Sequence, residues 1–234
     1  MKENIQEFYR KHESFDRYMM DNVKRVSEIN RLYLSNKKYF GKRVLDLTCG
    51  GGILGFLLEP KRHIYTGLDI NSDMIAGAKK YADKVKSKNK FIKLDILKKK
   101  INGDFDTVVC IGNSLGHFTT HEFLNILGNI PKSRYFILDY RDVVTIFFNK
   151  EWRDKMIEKD RGKRIVSLTK KFDEIKGTIE KISYEEGKKD KTYFTHTVWS
   201  PFIIEPIMKS NGWDLIKRKR IKTWQGWLEV YKRK

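Results

Sequence analysis

The stretch from Val44 to Gly55 reads V-L-D-L-T-C-G-G-G-I-L-G, and it decides the fold of this 234-residue chain. An apolar strand is predicted to end at Asp46, and three glycines, 50–52, then lead into an apolar helix that starts at Ile53. Glycine tolerates positive φ and lets a ligand lie against bare backbone. A strand, a glycine turn and a helix in this order predict a nucleoside-binding site at the carboxyl edge of a parallel sheet.

Acidic or polar residues follow each of the next three predicted strands. A strand over 63–68 ends at Asp69, nineteen residues after Gly50, where a carboxylate can hold ribose hydroxyls. A third strand over 90–94 ends at Asp95, and a fourth over 106–111 ends at G-N-S, residues 112–114. Because these strands alternate with helical segments, we expect an α/β fold with a Rossmann-like, doubly wound and mainly parallel sheet of seven strands.

Two cofactor classes fit the glycine turn. Gly50, Gly52 and Gly55 satisfy the G-x-G-x-x-G pattern of dinucleotide-binding proteins. A pyrophosphate would lie on the helix N-terminus, and a carboxylate at Asp46 would repel it. S-adenosyl-L-methionine has no phosphate and carries a sulfonium and an ammonium, which suit an acid. Asp46 therefore favours S-adenosyl-L-methionine, with S-adenosyl-L-homocysteine as the product, although the residue could also simply cap the glycine turn.

From Val44 to Asp142 these motifs resemble the class I S-adenosylmethionine-dependent methyltransferases. The resemblance implies that Asp69 holds the ribose, that Met74 flanks the adenine and that Asp95 meets the adenine amino group. Thr48 departs from the small residue that is usual in the family and narrows the loop. The full cofactor-binding set implied is Asp46, Gly50, Gly52, Asp69, Ile70, Met74, Asp95, Ile96 and Ile111.

Two further segments concern the methyl acceptor. The sequences I-G-N-S-L-G-H-F (111–118) and F-I-L-D-Y-R-D (136–142) are similar to glycine N-methyltransferase and related small-amine enzymes, although Tyr140 stands where that family has histidine. The resemblance implies catalytic roles for Asn113 and His117. It also implies that Arg141, just past a fifth strand predicted over 135–138, binds an acceptor carboxylate, because its planar fork makes two charge-assisted bonds. Tyr9 is a further candidate for contact with the substrate.

Each of these acceptor-site candidates also has a purely structural interpretation. Asn113 could bridge the loop backbone, His117 could cap a helix, and Arg141 could pair with Asp139 or Asp142. A metal site is not expected, because His117 and His121 lack an acidic partner at ligand spacing.

The remaining sequence divides into three parts. Residues 4–40 have helical spacing of aromatic residues, which predicts helix there, and the resemblance implies that residues 1–40 form a helical lid over the cofactor. Residues 41–142 and 200–234 form the predicted core, ending in a helix over 201–211 and two edge strands over 213–219 and 227–231. Between them, the segments 164–169, 178–184 and 192–199 alternate with period two, which predicts an antiparallel β insertion (143–199) that covers the cofactor's methyl group and shapes the acceptor pocket.

The charge and composition of the chain indicate which classes of partner it can have. The net charge of +19 and the pI near 9.7 raise the prospect of a nucleic-acid partner, but they also fit a lysine-rich solvated surface. The densest basic block, Lys217 to Arg220, is expected to lie in a strand or its following loop with its side chains pointing to water. The sequence shows no membrane-length apolar run and no signal-peptide core, and Cys49 and Cys110 are expected to remain thiols, so we expect a cytoplasmic protein.

The leading hypothesis is an enzyme that methylates a small molecule, at nitrogen. The first alternative is a methyltransferase that acts on RNA or protein through its basic surface. The second alternative is a non-catalytic binding module on the same fold. The oligomeric state is not predicted.

Overall fold

A computed structural model describes residues 19–150, 152–160, 163–223 and 225–234 of the chain. Seven of the strands found there form one large sheet: β1 (Arg43–Asp46), β2 (Ile64–Asp69), β3 (Lys90–Lys93), β4 (Thr107–Cys110), β5 (Tyr135–Arg141), β10 (Trp213–Ile221) and β11 (Gly226–Arg233). Their spatial order is β10-β11-β5-β4-β1-β2-β3. The first five pair in parallel, whereas β11 is antiparallel to both β5 and β10. The predicted Rossmann-like sheet, with antiparallel strands at its edge, is confirmed.

Helices accompany this sheet: α1 (Val23–Asn36), α2 (Ile53–Leu58), α3 (Ser72–Val85), α4 (Thr120–Asn129), α5 (Val143–Phe148) and α6 (Pro201–Ser210). Neighbouring residues of β1 belong to different hydrophobic clusters, Val44 to one and Leu45 to the other, and both side chains are fully buried. Because successive side chains of a strand point to opposite faces, the sheet is covered on both sides. This arrangement leaves the carboxyl ends of the strands as the rim at which ligands can bind.

The glycine turn after β1 requires glycine at Gly52. Its φ is +81°, and a Cβ built there would lie 2.4 Å from Cε1 of the Phe91 ring. Gly50 also has positive φ, at +52°. The turn thus starts α2 directly above the end of β1, as the sequence predicted.

The inserted segment forms a separate four-stranded antiparallel sheet: β6 (Lys155–Asp160), β7 (Lys163–Asp173), β8 (Thr178–Glu185) and β9 (Lys191–Thr197). The predicted antiparallel insertion is confirmed. Strand β6 and the short helix α5 were not predicted, because neither has a clear periodicity. Strand β9 packs against the turn Ser114–His117 at the carboxyl end of β4, so the insertion meets the core at the rim of the large sheet.

Several predicted boundaries were wrong. Helix was expected over 4–40, but 19–22 form a turn and α1 starts at Val23, because the Asn22 side chain accepts a hydrogen bond from the Arg25 backbone N–H and caps the helix. Strand β5 continues to Arg141, which is therefore its last residue rather than one just past its end. Tyr9 and the predicted helix before residue 19 lie outside the described residues.

The basic block lies in β10, as expected, but the prediction that its side chains simply point to water was wrong for three of the four. Lys217 bonds to Ser35 O and Asn36 Oδ1 at 2.6 and 2.8 Å. Arg218 forms ion pairs with two glutamates, and Arg220 lies over the Trp227 ring with its guanidinium carbon 4.9 Å from the centroid. Three of the four basic side chains are therefore engaged in contacts within the protein, because acidic side chains and carbonyl groups lie next to β10.

Candidate cofactor-binding and acceptor site

A large cavity opens at the carboxyl ends of β1, β2 and β4. Its volume is about 1190 Å³, including space open to solvent. The predicted residues that line it are Asp46, Gly50, Asp69, Ile70, Met74, Asp95, Ile96, Ile111 and His117. Gly52 is not among the lining residues; its role in the structure is to shape the turn. The cavity also has a wall from α1, formed by Arg25 and Ile29, which the sequence did not single out within the predicted helical lid.

Asp46 lies at the floor of this cavity, with 2 % of its surface exposed. Its Oδ2 accepts a hydrogen bond from the Tyr65 hydroxyl at 2.8 Å, and its Oδ1 accepts one from the Thr48 backbone N–H at 3.2 Å. Burial nevertheless raises the pKa of this carboxyl from 3.8 to about 7, because the charged form has lost its water. A cationic ligand placed here would restore the charged form, which makes Asp46 a suitable partner for an ammonium or a sulfonium.

Asp69 is fixed by the glycine turn. Its Oδ2 accepts a hydrogen bond from the Gly50 backbone N–H at 2.8 Å, and its Oδ1 accepts one from the Asn71 N–H at 2.9 Å. Burial raises the pKa of this carboxyl as well. These bonds hold the carboxylate at the rim, where its remaining lone pairs can accept hydroxyl hydrogen bonds.

One side of the cavity is apolar. Met74, Ile96 and Ile111 are buried there, and Asp95 stands beside them with its Oδ1 accepting the Leu97 N–H at 3.1 Å. An apolar slot with one acceptor at its edge suits a flat aromatic base that carries an amino group.

The loop after β4 separates this cavity from a second one. Asn113 has a φ of +63°, its backbone N–H donates to Asp139 at 2.6 Å, and its Oδ1 accepts from the Arg141 N–H at 2.9 Å. These bonds bridge β4 and β5, which is the structural interpretation of Asn113, while its catalytic role stays a prediction. Asp139 is completely buried, burial raises its pKa, and the positive charge of Arg25 opposes that rise.

Two histidines meet at the boundary between the core and the insertion. The ring of His117 lies 5.1 Å from the ring of His196, at an interplanar angle of 85°. Burial lowers the pKa of His117 to about 4. Burial also lowers the pKa of His196 well below its usual value, and the positive charges of Lys181 and Arg141 add to the effect. The sequence could not fix which face of its strand His196 occupies, so this pair was not predicted.

The second cavity, of about 340 Å³, lies beneath the inserted sheet. It brings two predicted residues, Asn113 and Arg141, together with residues that the sequence did not connect to them. Its lining residues are Asn113, Gly116, Arg141, Val143, Trp152, Lys181, His196, Thr197 and Trp199. Asp142, one of the acids suggested as a structural partner for Arg141, receives hydrogen bonds from Thr145 and from Trp227 Nε1, the latter at 2.8 Å.

Other site classes can be assessed for the part of the chain that the structure describes. Cys49 and Cys110 are free thiols, as predicted, and burial raises the pKa of Cys110 to about 12. Within the described ranges no group of three histidine, cysteine or acidic side chains is arranged to hold a metal ion. Of the described helices, none has the length and apolarity needed to cross a lipid bilayer.

Known proteins resemble this chain in sequence over part of its length. A methyltransferase-domain family matches residues 44–132. A ubiquinone biosynthesis O-methyltransferase of Dechloromonas aromatica (strain RCB) is 33% identical over 73 residues, which cover 30% of this chain and 32% of that protein. The match thus spans about a third of the length of this curated relative.

Solved structures match over nearly the whole chain. A protein of Pyrococcus horikoshii OT3 has a TM-score of 0.73 and 24% identity, covering 97% of this chain and 99% of that one. An amino pentose methyltransferase of Micromonospora echinaspora, solved with bound S-adenosylmethionine, has a TM-score of 0.63 and 14% identity, covering 90% and 91%. At these identities the likeness establishes the fold.

Residues 44–132 thus match a methyltransferase domain, and the sheet order and the acid-lined cavity agree with the fold and cofactor site of the class I S-adenosylmethionine-dependent methyltransferases. S-adenosyl-L-methionine is the cofactor of this class of enzyme. The lining of the large cavity fits this cofactor. It combines buried carboxylates, an apolar slot and glycines with positive φ.

Proposed function

We propose that the protein transfers a methyl group from S-adenosyl-L-methionine to a nitrogen atom of a small-molecule acceptor. The observation that carries this proposal is the position of the loop 112–117 between two cavities. Ser114 and His117 line the large, acid-lined cavity, whereas Asn113 and Gly116 line the small one beneath the inserted sheet. An acceptor beside this loop would lie next to the cofactor site and under a cover that excludes water.

The residues that would hold the cofactor follow from the chemistry of the large cavity. Asp46 would face its charged amino-acid part, Asp69 its ribose, and Met74 and Asp95 its adenine. When bound, the cofactor supplies an electrophilic methyl group on a positively charged sulfur. The chain's own contribution would be to orient the acceptor, to remove it from water and to hold its lone pair toward that methyl group.

A nitrogen acceptor is compatible with the neutral rings of His117 and His196. A neutral imidazole can accept a hydrogen bond from an amine N–H, and both rings are neutral at pH 7 because burial lowers their pKa. Neutral rings also avoid repulsion with a cationic cofactor. The resemblance to small-amine N-methyltransferases and the amino pentose methyltransferase among the structural neighbours support the same acceptor class.

We propose the predicted domain division as well: a lid over residues 1–40, a core over 41–142 and 200–234, and an acceptor-shaping insertion over 143–199. Helix α1 supports the lid, because Arg25 and Ile29 line the large cavity. The contact of β9 with the turn Ser114–His117 supports the insertion's role.

The test is transfer of a tritiated methyl group from labelled S-adenosyl-L-methionine to pooled small amines, phenols, RNA and protein, followed by mass spectrometry of the product. We expect a methylated small amine, and we expect Asp69→Ala to slow the transfer at limiting S-adenosyl-L-methionine. Phenols are included because the curated relative is named as an O-methyltransferase. Exclusive methylation of RNA, with rates that fall steeply as salt rises, would contradict the proposal.

A further inference from the structure

The edge of the large sheet at β3 carries a long run of lysines. Residues 79–100 contain ten lysines and two aspartates, a net charge of +8 that is about two-fifths of the +19 of the whole chain. All ten lysines are exposed, whereas one of the aspartates, Asp95, lines the large cavity. Among the described residues, the one ion pair that these lysines make joins Lys98 to Asp95, at 3.9 Å. We call these ten lysines the basic edge.

The basic edge wraps around β3, which is the last strand of the sheet. Helix α3 lies beside β2 and β3 on one face, where its Ile75 and Ala82 belong to one hydrophobic cluster. The segment after β3 lies on the other face, because Ile96 and Ile101 belong to the other cluster. Exposed lysines are therefore carried by the helix, by the edge strand and by the segment beyond it, and together they form one positive band.

The backbone in the middle of this band is fixed by local contacts. Lys86 ends α3 in the left-handed conformation, with φ of +55°. The Glu59 carboxylate accepts hydrogen bonds from the Ser87 hydroxyl and, at 2.6 Å, from the Lys88 backbone N–H. Because the turn into β3 is held in this way, a partner that binds here orders lysine side chains but does not have to order the chain itself.

The chemistry of the basic edge matches a phosphate backbone. Lysine neutralises a phosphate as a point charge, and residues 79–100 contain no arginine for bidentate recognition of a base. The two aromatic residues of the segment, Tyr81 and Phe91, pack against Phe56 in the core. Their rings are thus engaged inside the protein, whereas stacking on unpaired bases or anchoring in a lipid surface calls for aromatic rings at the surface.

We propose that the basic edge is a docking surface for the phosphate backbone of a double-stranded nucleic acid, bound without regard to sequence. A protein strand is a poorer match, because lysines on an edge strand oppose the addition of another strand. The proposal goes beyond the proposed function, since the duplex is a partner and not the methyl acceptor. Strand β3 lies three strands from β4, roughly 14 Å at about 4.8 Å per strand, and the cofactor cavity lies between them.

The test is a fluorescence anisotropy titration of a short labelled DNA duplex with the full chain, at about 50 to 200 mM salt. We expect the logarithm of the association constant to fall linearly with the logarithm of the salt concentration, by about 0.9 for each phosphate contact. A duplex of unrelated sequence should bind equally well, and a single strand more weakly. Absence of salt-dependent binding, or a preference for the single strand, would overturn the proposal.

A matched pair of triple variants locates the surface. Lys86→Gln, Lys88→Gln and Lys90→Gln together should weaken duplex binding by about tenfold or more and reduce the salt slope by about 2 to 3. Lys170→Gln, Lys171→Gln and Lys189→Gln remove the same charge from exposed positions of the inserted segment and should change binding less than about threefold. Equal losses in the two variants would show that the net charge of the protein, not the basic edge, attracts the duplex.

Three further measurements separate the partner from its alternatives. Both triple variants should bind S-adenosyl-L-homocysteine as the unaltered chain does, which shows that they are folded. Competition between this compound and the duplex, or transfer of a labelled methyl group to the duplex, would overturn the separation of partner from acceptor. Sedimentation with phosphatidylserine vesicles should show weaker binding than the duplex gives at the same salt. Tighter binding to the vesicles, lost in the edge variant, would identify a lipid surface instead and overturn the proposal.

Discussion

The rings of His117 and His196 lie 5.1 Å apart although one belongs to the core and the other to the inserted sheet. The two residues are far apart in the sequence, and the contact joins the two parts of the fold where the proposed acceptor would sit. Burial keeps both rings neutral, so the core and the insertion can meet there without repulsion between charged rings.

His117 should therefore titrate far below an ordinary histidine. NMR of the imidazole signals is expected to give a pKa of about 4 for His117, because burial disfavours the charged ring. A value above 6 would show that the ring is hydrated and would contradict the buried pair.

The same shift predicts how the stability of the protein depends on pH. The unfolded chain binds a proton at His117 near pH 6.5, and the folded chain only near pH 4, so the unfolded state binds more protons between these values. This contribution to the free energy of unfolding is fully present above about pH 6.5 and is lost as the pH falls toward 4. His117→Asn should flatten the slope of the free energy of unfolding against pH in this window.

Asp46→Asn should weaken cofactor binding and stabilise the protein without ligand. The folded pKa of Asp46 is raised to about 7, so between pH 3.8 and 7 the folded state binds more protons, and this group lowers stability as the pH rises. At pH 8 the amide should raise the melting temperature, by about 2–4 °C for each kcal/mol recovered. The affinity for S-adenosyl-L-homocysteine should fall by roughly 1–3 kcal/mol. A lower melting temperature with unchanged affinity would remove Asp46 from the binding site.

Gly52→Ala should destabilise the fold by about 1–3 kcal/mol, because a side chain there needs positive φ and collides with Phe91. The matched control is Gly128→Ala in α4, where an added Cβ has nothing within 4 Å. Helix propensity should make that change neutral or stabilising by about 0.5–1 kcal/mol. Denaturant unfolding measures both, and equal effects would show that the turn tolerates a side chain.

Arg141→Lys should raise the acceptor Michaelis constant while the affinity for S-adenosyl-L-homocysteine stays nearly unchanged. Lysine keeps the charge but loses the two-point geometry of the guanidinium. Kinetics with the acceptor found in the tritium transfer assay and a thermal melt on the same variant provide the measurement. A large loss of stability with unaltered acceptor kinetics would assign Arg141 a structural role.

Most of the lining of the large cavity could be predicted because its signals are local. Asp46, the glycine turn and Asp69 each follow directly from a strand end, and parallel strands bring such ends together at one edge. The lining of the small cavity could not be predicted in the same way. Lys181 and His196 reach the cavity through the register of an antiparallel sheet, and a shift of one residue in that register would place them on the other face. Arg25 was not predicted, because a basic side chain on an amphipathic helix is expected to face water rather than a cavity.

The most direct test of the account is calorimetric titration of the full chain with S-adenosyl-L-homocysteine and, separately, with NAD. We expect saturable binding of S-adenosyl-L-homocysteine and no binding of NAD. Asp69→Ala should lose roughly 1–3 kcal/mol of this affinity, and Asp104→Ala, the same change at an exposed aspartate outside the cavity, should lose none. Binding of NAD, with no response to S-adenosyl-L-homocysteine, would contradict the account.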